Sequence, residues 1–318
     1  MDMPFMPNEE DKHAGADASR CPRQDIMNLL TGFSLEVTNA AAETDADFAS
    51  LIPKGTDVYL PFLPNSAFAD CVPAARRVAR EGMVPVPHIA ARRLTGSAEL
   101  EDVLGQLRET ASVTSALVIA GDADTATGPY KSALEVLETG LLERYGILKI
   151  GIAGYPEGHP SIAEDVIWSS LARKCDYAKS SRADFQIVSQ FTFSHQSVQR
   201  WDAKLRQAGV TLPVLLSVPG PAKLMTLLGY ARMCGVSASL RQLTRNRKAL
   251  AGLATINTPD RLLTALSQDQ AGRSVCLIKG IHFNTFGGFE ETASWVKAVL
   301  EGHFTMNHDN CGFKLARN

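Results

Sequence analysis

Between Gly32 and Gly288 the chain alternates short runs rich in Val and Ile with longer amphipathic stretches, about eight times over. Such alternation is the pattern of repeated strand–helix units. The short runs share a second property: polar residues gather where they stop. The first run ends near Glu36, the third on His88 and the fourth on Asp122. The fifth runs through Tyr155 into Pro156-Glu-Gly-His-Pro160, the sixth delivers Gln190, and the last delivers His282 and Asn284. In a closed parallel barrel the C-terminal strand ends meet at one mouth, so residues spread over about 250 positions converge on one pocket.

The pattern predicts strands near 32–38, 56–61, 84–89, 115–121, 147–153, 185–191, 212–217 and 275–283. It predicts helices near 44–52, 67–82, 98–111, 130–144, 162–179, 195–208, 221–250 and 288–301. Ser97 and Ser194 are suited to cap the helices that follow them. Gly146 and Gly209 are suited to end the helices before them. Eight units in about 270 residues match an α/β fold of the (β/α)8 TIM-barrel type. The long connection between strands seven and eight predicts extra helices over 236–272, with Leu240–Lys248 as a solvated face or a cofactor-phosphate contact. An open doubly wound sheet would want a Gly-x-Gly-x-x-Gly turn after an early strand, and none occurs. The expected organisation is a polar tail over 1–28, the barrel over 29–304 and a loose end over 305–318.

Composition excludes several classes. Among 318 residues the net charge is -2, which gives a polyanion no hold, so nucleic acid is not an expected partner. No apolar run reaches the roughly 18 residues that span a bilayer. The six cysteines, at 21, 71, 175, 234, 276 and 311, form no Cys-x-x-Cys pair, which argues against a zinc knot or a disulfide scaffold. The N-terminus has no basic region followed by an apolar core, so no secretory signal is read there. A cytoplasmic protein without a metal centre is expected.

Glu36 lies between Leu35 and Val37 inside a strand. A desolvated carboxyl there would hold a proton near neutral pH, as a general acid must; a solvated strand end is the plain alternative. His88 is an organic-ligand contact, a satisfied core histidine or a metal ligand, the last weakened because no His-x-His or His-x-x-x-His pair accompanies it. Gly121-Asp122 joins a permissive backbone to an acceptor-only side chain, suited to ring N–H donors or to a simple turn. Tyr155-Pro-Glu-Gly-His-Pro160 is a stiff loop that displays Tyr155, Glu157 and His159. Gln190 can read an amide edge, and Phe191 and Phe193 can stack a planar ring or pack the core.

Taken in order, these strings resemble the methylenetetrahydrofolate reductase family over roughly residues 30–303. Ser34-Leu-Glu36 is similar to the family's first-strand Ser-Phe-Glu, and Pro87-His88 to its third-strand Pro-His. Gly121-Asp122 is similar to its Arg-Gly-Asp, Tyr155–Pro160 to its Tyr-Pro-Glu-x-His-Pro, and Gln190-Phe-Thr-Phe193 to its Gln-Phe-x-Phe. The resemblance implies a (β/α)8 barrel that reduces 5,10-methylenetetrahydrofolate with NADH or NADPH, usually through FAD. It implies catalytic roles for Glu36 as proton donor and for Asp122. It implies flavin contacts at His88, Gly121, Asp122, Tyr130, Tyr155, His159, Arg173 and Lys174. It implies folate contacts at Glu36, Asp122, Gln190, Phe191 and Phe193. The chain departs from the family in two places that matter below: Val37-Thr38-Asn39 replaces Phe-Pro-Pro after the glutamate, and Ala120 replaces the arginine before Gly121.

Two routes are therefore expected, hydride passing through bound FAD or directly from nicotinamide to folate in a flavin-poor variant. The expected partners are the folate substrate and a nicotinamide nucleotide, with homo-oligomerisation left open. A second function class is a non-catalytic folate- or flavin-binding barrel acting as a partner subunit. A phosphate-handling aldolase or isomerase is a third, weakened by the lack of a strand-end lysine.

Overall fold

The computed structural model describes residues 21–44, 46–233, 236, 256–271 and 276–316. Most of the predicted extra-helix region, including Leu240–Lys248, lies outside the described residues. Eight parallel strands close into a barrel: β1 (Ser34–Glu36), β2 (Asp57–Leu60), β3 (Val84–Ala90), β4 (Ser115–Ile119), β5 (Lys149–Gly154), β6 (Asp184–Ser189), β7 (Val214–Pro219) and a closing strand, Ile278–Asn284. The closing strand pairs with both β1 and β7. Each falls at one of the eight predicted runs.

Side chains alternate across each strand. Outward residues such as Leu35, Val58, Val118, Ile152, Ile187, Leu216 and Phe283 join the large core shared with the helices. Inward residues form a separate small cluster of Tyr59, Val86, Leu117 and Val188, flanked by Ile119 and Leu215. At the base, the Lys149 ammonium donates to Asp57 at 2.7 Å across the barrel. The interior is a packed plug, not a pore, so ligands are confined to the mouth.

Helices cover the outside, and their ends follow local chemistry. Ser194 caps His195–Gln207 by accepting from the Ser197 amide. Gly146 and Gly209 take the left-handed conformation after their helices, at φ 85° and 72°. Ser97 differs from expectation: it is the first helical residue of Ser97–Ala111 rather than its cap. Glu99 reaches back instead, accepting from the Thr95 amide at 2.7 Å and hydroxyl at 2.8 Å. The predicted helix over 130–144 is split at left-handed Gly140 into Ala133–Glu138 and Leu141–Arg144.

Among the described residues, parts of both expected tails form regular elements, and residues 1–20 of the expected N-terminal tail lie outside them. Helix Pro22–Leu30 buries Ile26, Leu29 and Leu30 against the closing strand and the helices Asp260–Ala271 and Phe289–Leu300. Three such buried side chains contribute about 1.5–3 kcal/mol each, enough to order a short helix that starts on Pro22. At the other end Phe304–Met306 pairs antiparallel with Phe313–Leu315, and Phe304 and Phe313 are buried. The spacing of 26, 29 and 30, and the lone aromatics of the C-terminus, are the signals that a reading by polarity passes over. Among the described residues no helix is long and apolar enough to cross a membrane.

Gly154, the last residue of β5, is packed too closely to admit a side chain. A Cβ there would stand 2.5 Å from Ile187 Cγ2 and 2.7 Å from Trp201 Cζ2. Gly154→Ala is expected to cost about 1–3 kcal/mol by overpacking, read as a shift in denaturant midpoint.

Candidate active site

Alternation sends Ser34 and Glu36 of β1 into the barrel while Leu35 faces the helices. Parallel register then sets Tyr59 of β2 and Asn284 of the closing strand beside Glu36. His88, inward on β3, stands with Nε2 3.7 Å from Glu36 Oε2. Asn284 Nδ2 donates to Glu36 Oε1 at 3.5 Å, and the Thr285 hydroxyl donates to the Glu36 carbonyl at 2.7 Å. Contacts to the carboxyl are long, so they offset little of its desolvation. Burial pushes the Glu36 carboxyl up to about 7, opposed only by the Asn284 hydrogen bond. The group can therefore carry a proton at neutral pH and release it, the property a general acid needs.

Beneath it lies a buried polar layer that sequence reading did not assemble. His282 Nδ1 and Ser34 Oγ share a hydrogen bond of 2.9 Å. The Tyr59 ring meets His282 edge-on at 4.4 Å and His88 at 5.9 Å, and its hydroxyl accepts from Gln186 Nε2 at 3.1 Å. Burial lowers both imidazoles to about 3, so each is neutral at any working pH, and His88 further lowers His282. A neutral His88 does not hold Glu36 ionised, which is why the carboxyl's affinity for its proton survives beside a histidine. Register between β1, β2 and the closing strand is the signal that joins these residues. It cannot be read from any one run.

A second region opens between the ends of β4 and β5 and the helix Glu164–Ser180. It is a cavity of about 490 Å3, lined by Arg92, Tyr155, Trp168, Arg173 and Lys174 among others. Lys174 is 6% exposed. Burial lowers its ammonium to about 8. Tyr155 lines the wall and meets His159 edge-on at 5.4 Å. The His159 imidazole is lowered by burial and by nearby Arg92, and its Nδ1 accepts from the Ser161 amide. Glu157 ties this loop to the next strand end, accepting from the Thr192 hydroxyl at 2.6 Å.

The remaining predicted residues are distributed differently. Gly121 takes φ 87°, and a Cβ there would meet Ala90 Cβ at 3.1 Å. That position needs glycine for its backbone. Asp122 is exposed and held by Arg93, whose Nε and Nη2 donate to Oδ1 at 3.0 and 2.6 Å. Arg93 arrives on the turn that follows β3, and an acceptor at the neighbouring strand end is the nearest counter-charge. Tyr130 packs into the core, and it is Lys131 and Ser132 after it that reach the cavity. His88 belongs to the Glu36 cluster rather than to the cavity wall. The Gln190 side-chain oxygen accepts from the Phe191 amide at 3.3 Å. Phe191 is buried in an aromatic cluster with Phe193, Phe286 and Tyr230, the last two stacked at 4.2 Å.

The site thus has two parts: a protonatable carboxyl in a neutral polar ring, and a cation-bearing cavity. Among the described residues the cavity lining carries these cations and no carboxylate, a set that suits phosphate or pyrophosphate. The family model described as Methylenetetrahydrofolate reductase matches residues 74–286, about two thirds of the chain. The match takes in the cavity, His88 and Asn284.

Proposed function

The chain belongs to the methylenetetrahydrofolate reductase family, and from that membership we propose that it reduces 5,10-methylenetetrahydrofolate to 5-methyltetrahydrofolate with NADH or NADPH. The observation that carries the reading is Glu36, a carboxyl at the barrel mouth whose burial holds its proton to about pH 7. The methylene bridge opens when its carbon–N10 bond breaks. The bonding pair stays on N10 and takes the Glu36 proton, which leaves an N5 iminium cation for hydride to reduce. Glu36 supplies the proton, and the carboxylate it becomes then faces the cation it has helped to form. In this reading Gln190 binds the pterin's amide edge and Phe193 borders its ring, with Phe191 supporting from the core. Asp122 turns from Arg93 toward the pterin.

The cavity fits the phosphate end of a dinucleotide. Lys174, buried and at about 8, gains the most from an anion, and Arg173 and Arg92 share the same wall. A flavin, when bound, would relay hydride between nicotinamide and folate. Tyr155, Arg173 and Lys174 are the residues that would hold it, with His159 supporting Tyr155. Lys174→Met is expected to weaken FAD or NADH binding at least tenfold, since a charge-assisted contact is worth about 1.5–3 kcal/mol. Fluorescence titration of the purified protein reads it, and unchanged affinity would remove Lys174 from the site. Ala120, in place of the family's arginine, favours the direct route. A colourless preparation that oxidises NADH with methylenetetrahydrofolate would establish that route, and a yellow band near 450 nm, a property of the cofactor, would establish the flavin.

The test of the function is consumption of NADH or NADPH dependent on methylenetetrahydrofolate. No turnover with either donor, in protein supplied with FAD, would defeat it. Folate binding without turnover would instead favour the non-catalytic partner subunit, a reading motivated by the Arg93 pairing of Asp122.

A further inference from the structure

Lys174 is 6% exposed, yet among the described residues no hydrogen bond or ion pair reaches its ammonium. The tip is not sealed in. The buried side-chain atoms that lack a partner are Asn39 Oδ1, His88 Nε2 and Asn284 Oδ1, and Lys174 Nζ is not one of them, so it meets open space. That space is the cavity it lines between the ends of β4 and β5 and the helix Glu164–Ser180.

A lysine is almost never buried without a counter-charge. The lining here supplies the opposite: Arg92 and Arg173 share the wall, and among the described residues no carboxylate lies on it. An amine so placed is suited to an anion. Whenever no anion holds it, burial leaves part of it neutral, because its ammonium is lowered to about 8. A desolvated neutral amine is a nucleophile. Lys179, on the same helix, is the contrast: it is exposed, donates to Asp176 at 2.7 Å and has its ammonium raised by that partner. Two properties therefore meet in one cavity, guanidinium groups that hold phosphate and an amine able to attack what the phosphate carries.

We propose that Lys174 is a self-acylation site, at which the cavity binds an acyl phosphate and the lysine takes its acyl group. The amine attacks the acyl carbon, a C–N bond forms, and the bond from that carbon to the phosphate oxygen breaks. Inorganic phosphate leaves with the electron pair and accepts the proton that the amine gives up, so no oxidant or further reactant is needed. The product is a neutral amide, which removes the buried cation and adds bulk at the wall. An acylated cavity no longer favours an anion. The inference shares the phosphate-binding cavity with the proposed function and uses nothing of the folate chemistry.

The test is incubation of the full protein with acetyl phosphate, with the acetylation rate of each lysine read by peptide mass mapping. Near neutral pH Lys174 is expected to react about tenfold or more faster than Lys179, at a rate that saturates in acetyl phosphate and is slowed by inorganic phosphate. As pH is raised its rate should level off above about 8, while that of Lys179 goes on climbing. Arg173→Gln, at an exposed position of the helix, should lower the Lys174 rate by about threefold or more and leave Lys179 unchanged. Acetylation of Lys174 no faster than that of Lys179, or a Lys174 rate that neither saturates nor responds to phosphate, overturns the inference. If NADH fails to slow a reaction that phosphate does slow, the dinucleotide reading of the cavity falls and the acylation stands.

Discussion

Glu36→Gln is expected to lower kcat for folate reduction by about 10²- to 10⁴-fold, the range a positioned general acid supplies. Folate affinity should change little, because glutamine keeps the shape and an amide keeps a partner for Asn284. The unaltered enzyme should lose kcat as pH rises through about 7, roughly tenfold per unit, as the protonated form of Glu36 is depleted. In the glutamine variant that alkaline limb disappears. Turnover near the unaltered level would remove the acid role. Stability gives an independent reading of the same group. Its folded pKa lies above the ordinary 4.5, so folding binds a proton between pH 4.5 and 7, and stability falls as pH rises across that window. Above pH 7 the accumulated penalty is on the order of 3 kcal/mol. Glu36→Gln should therefore stabilise the protein at pH 8 and leave it unchanged at pH 4, where both states hold the proton.

The second large effect runs the other way along the pH axis. His88 and His282 are neutral in the fold down to about 3, against an ordinary 6.5. Below pH 6.5 the unfolded chain binds protons that the folded chain refuses, so stability is full above 6.5 and is lost as pH falls toward 3. Two such groups cost on the order of 2–3 kcal/mol per pH unit, and the proton that Glu36 takes up on folding offsets about half of that between pH 6.5 and 4.5. The net loss is about 1–1.5 kcal/mol per unit, and two units consume an appreciable part of an ordinary domain's 5–15 kcal/mol. Denaturant midpoints should drop from pH 6.5 to 4.5, and more steeply in Glu36→Gln, which lacks the offset. His282→Gln, which keeps a partner for Ser34, should leave little slope over that range. A midpoint that rises as pH falls in the unaltered protein would mean that the two imidazoles are hydrated and free to charge.

The barrel was legible because its strands are short, apolar on both faces and separated by stretches of the right length for helices. The pleat did the rest: Glu36, between two outward residues, had to face the interior. Asn284 and Tyr59 were harder. Each becomes a neighbour of Glu36 only through strand register, which depends on how distant runs slide past one another. Asp122 shows the limit from the other side. An acceptor at a strand end was readable, but the Arg93 that occupies it arrives on a turn whose shape no periodicity encodes. Lys174 was reached only through the family resemblance of Arg173-Lys174; periodicity shows one cation in an ordinary helix, and the burial of Lys174 at the cavity wall is what gives it a physical setting.

The Lys149–Asp57 pair and the packed Tyr59–Val86–Leu117–Val188 layer stopper the far end of the barrel. Traffic is thereby one-way in geometry: the replacement proton for Glu36 must enter through the same opening by which product departs. Reloading the acid is thus queued behind product exit, and in a single turnover proton uptake from solvent should trail the appearance of free methylfolate.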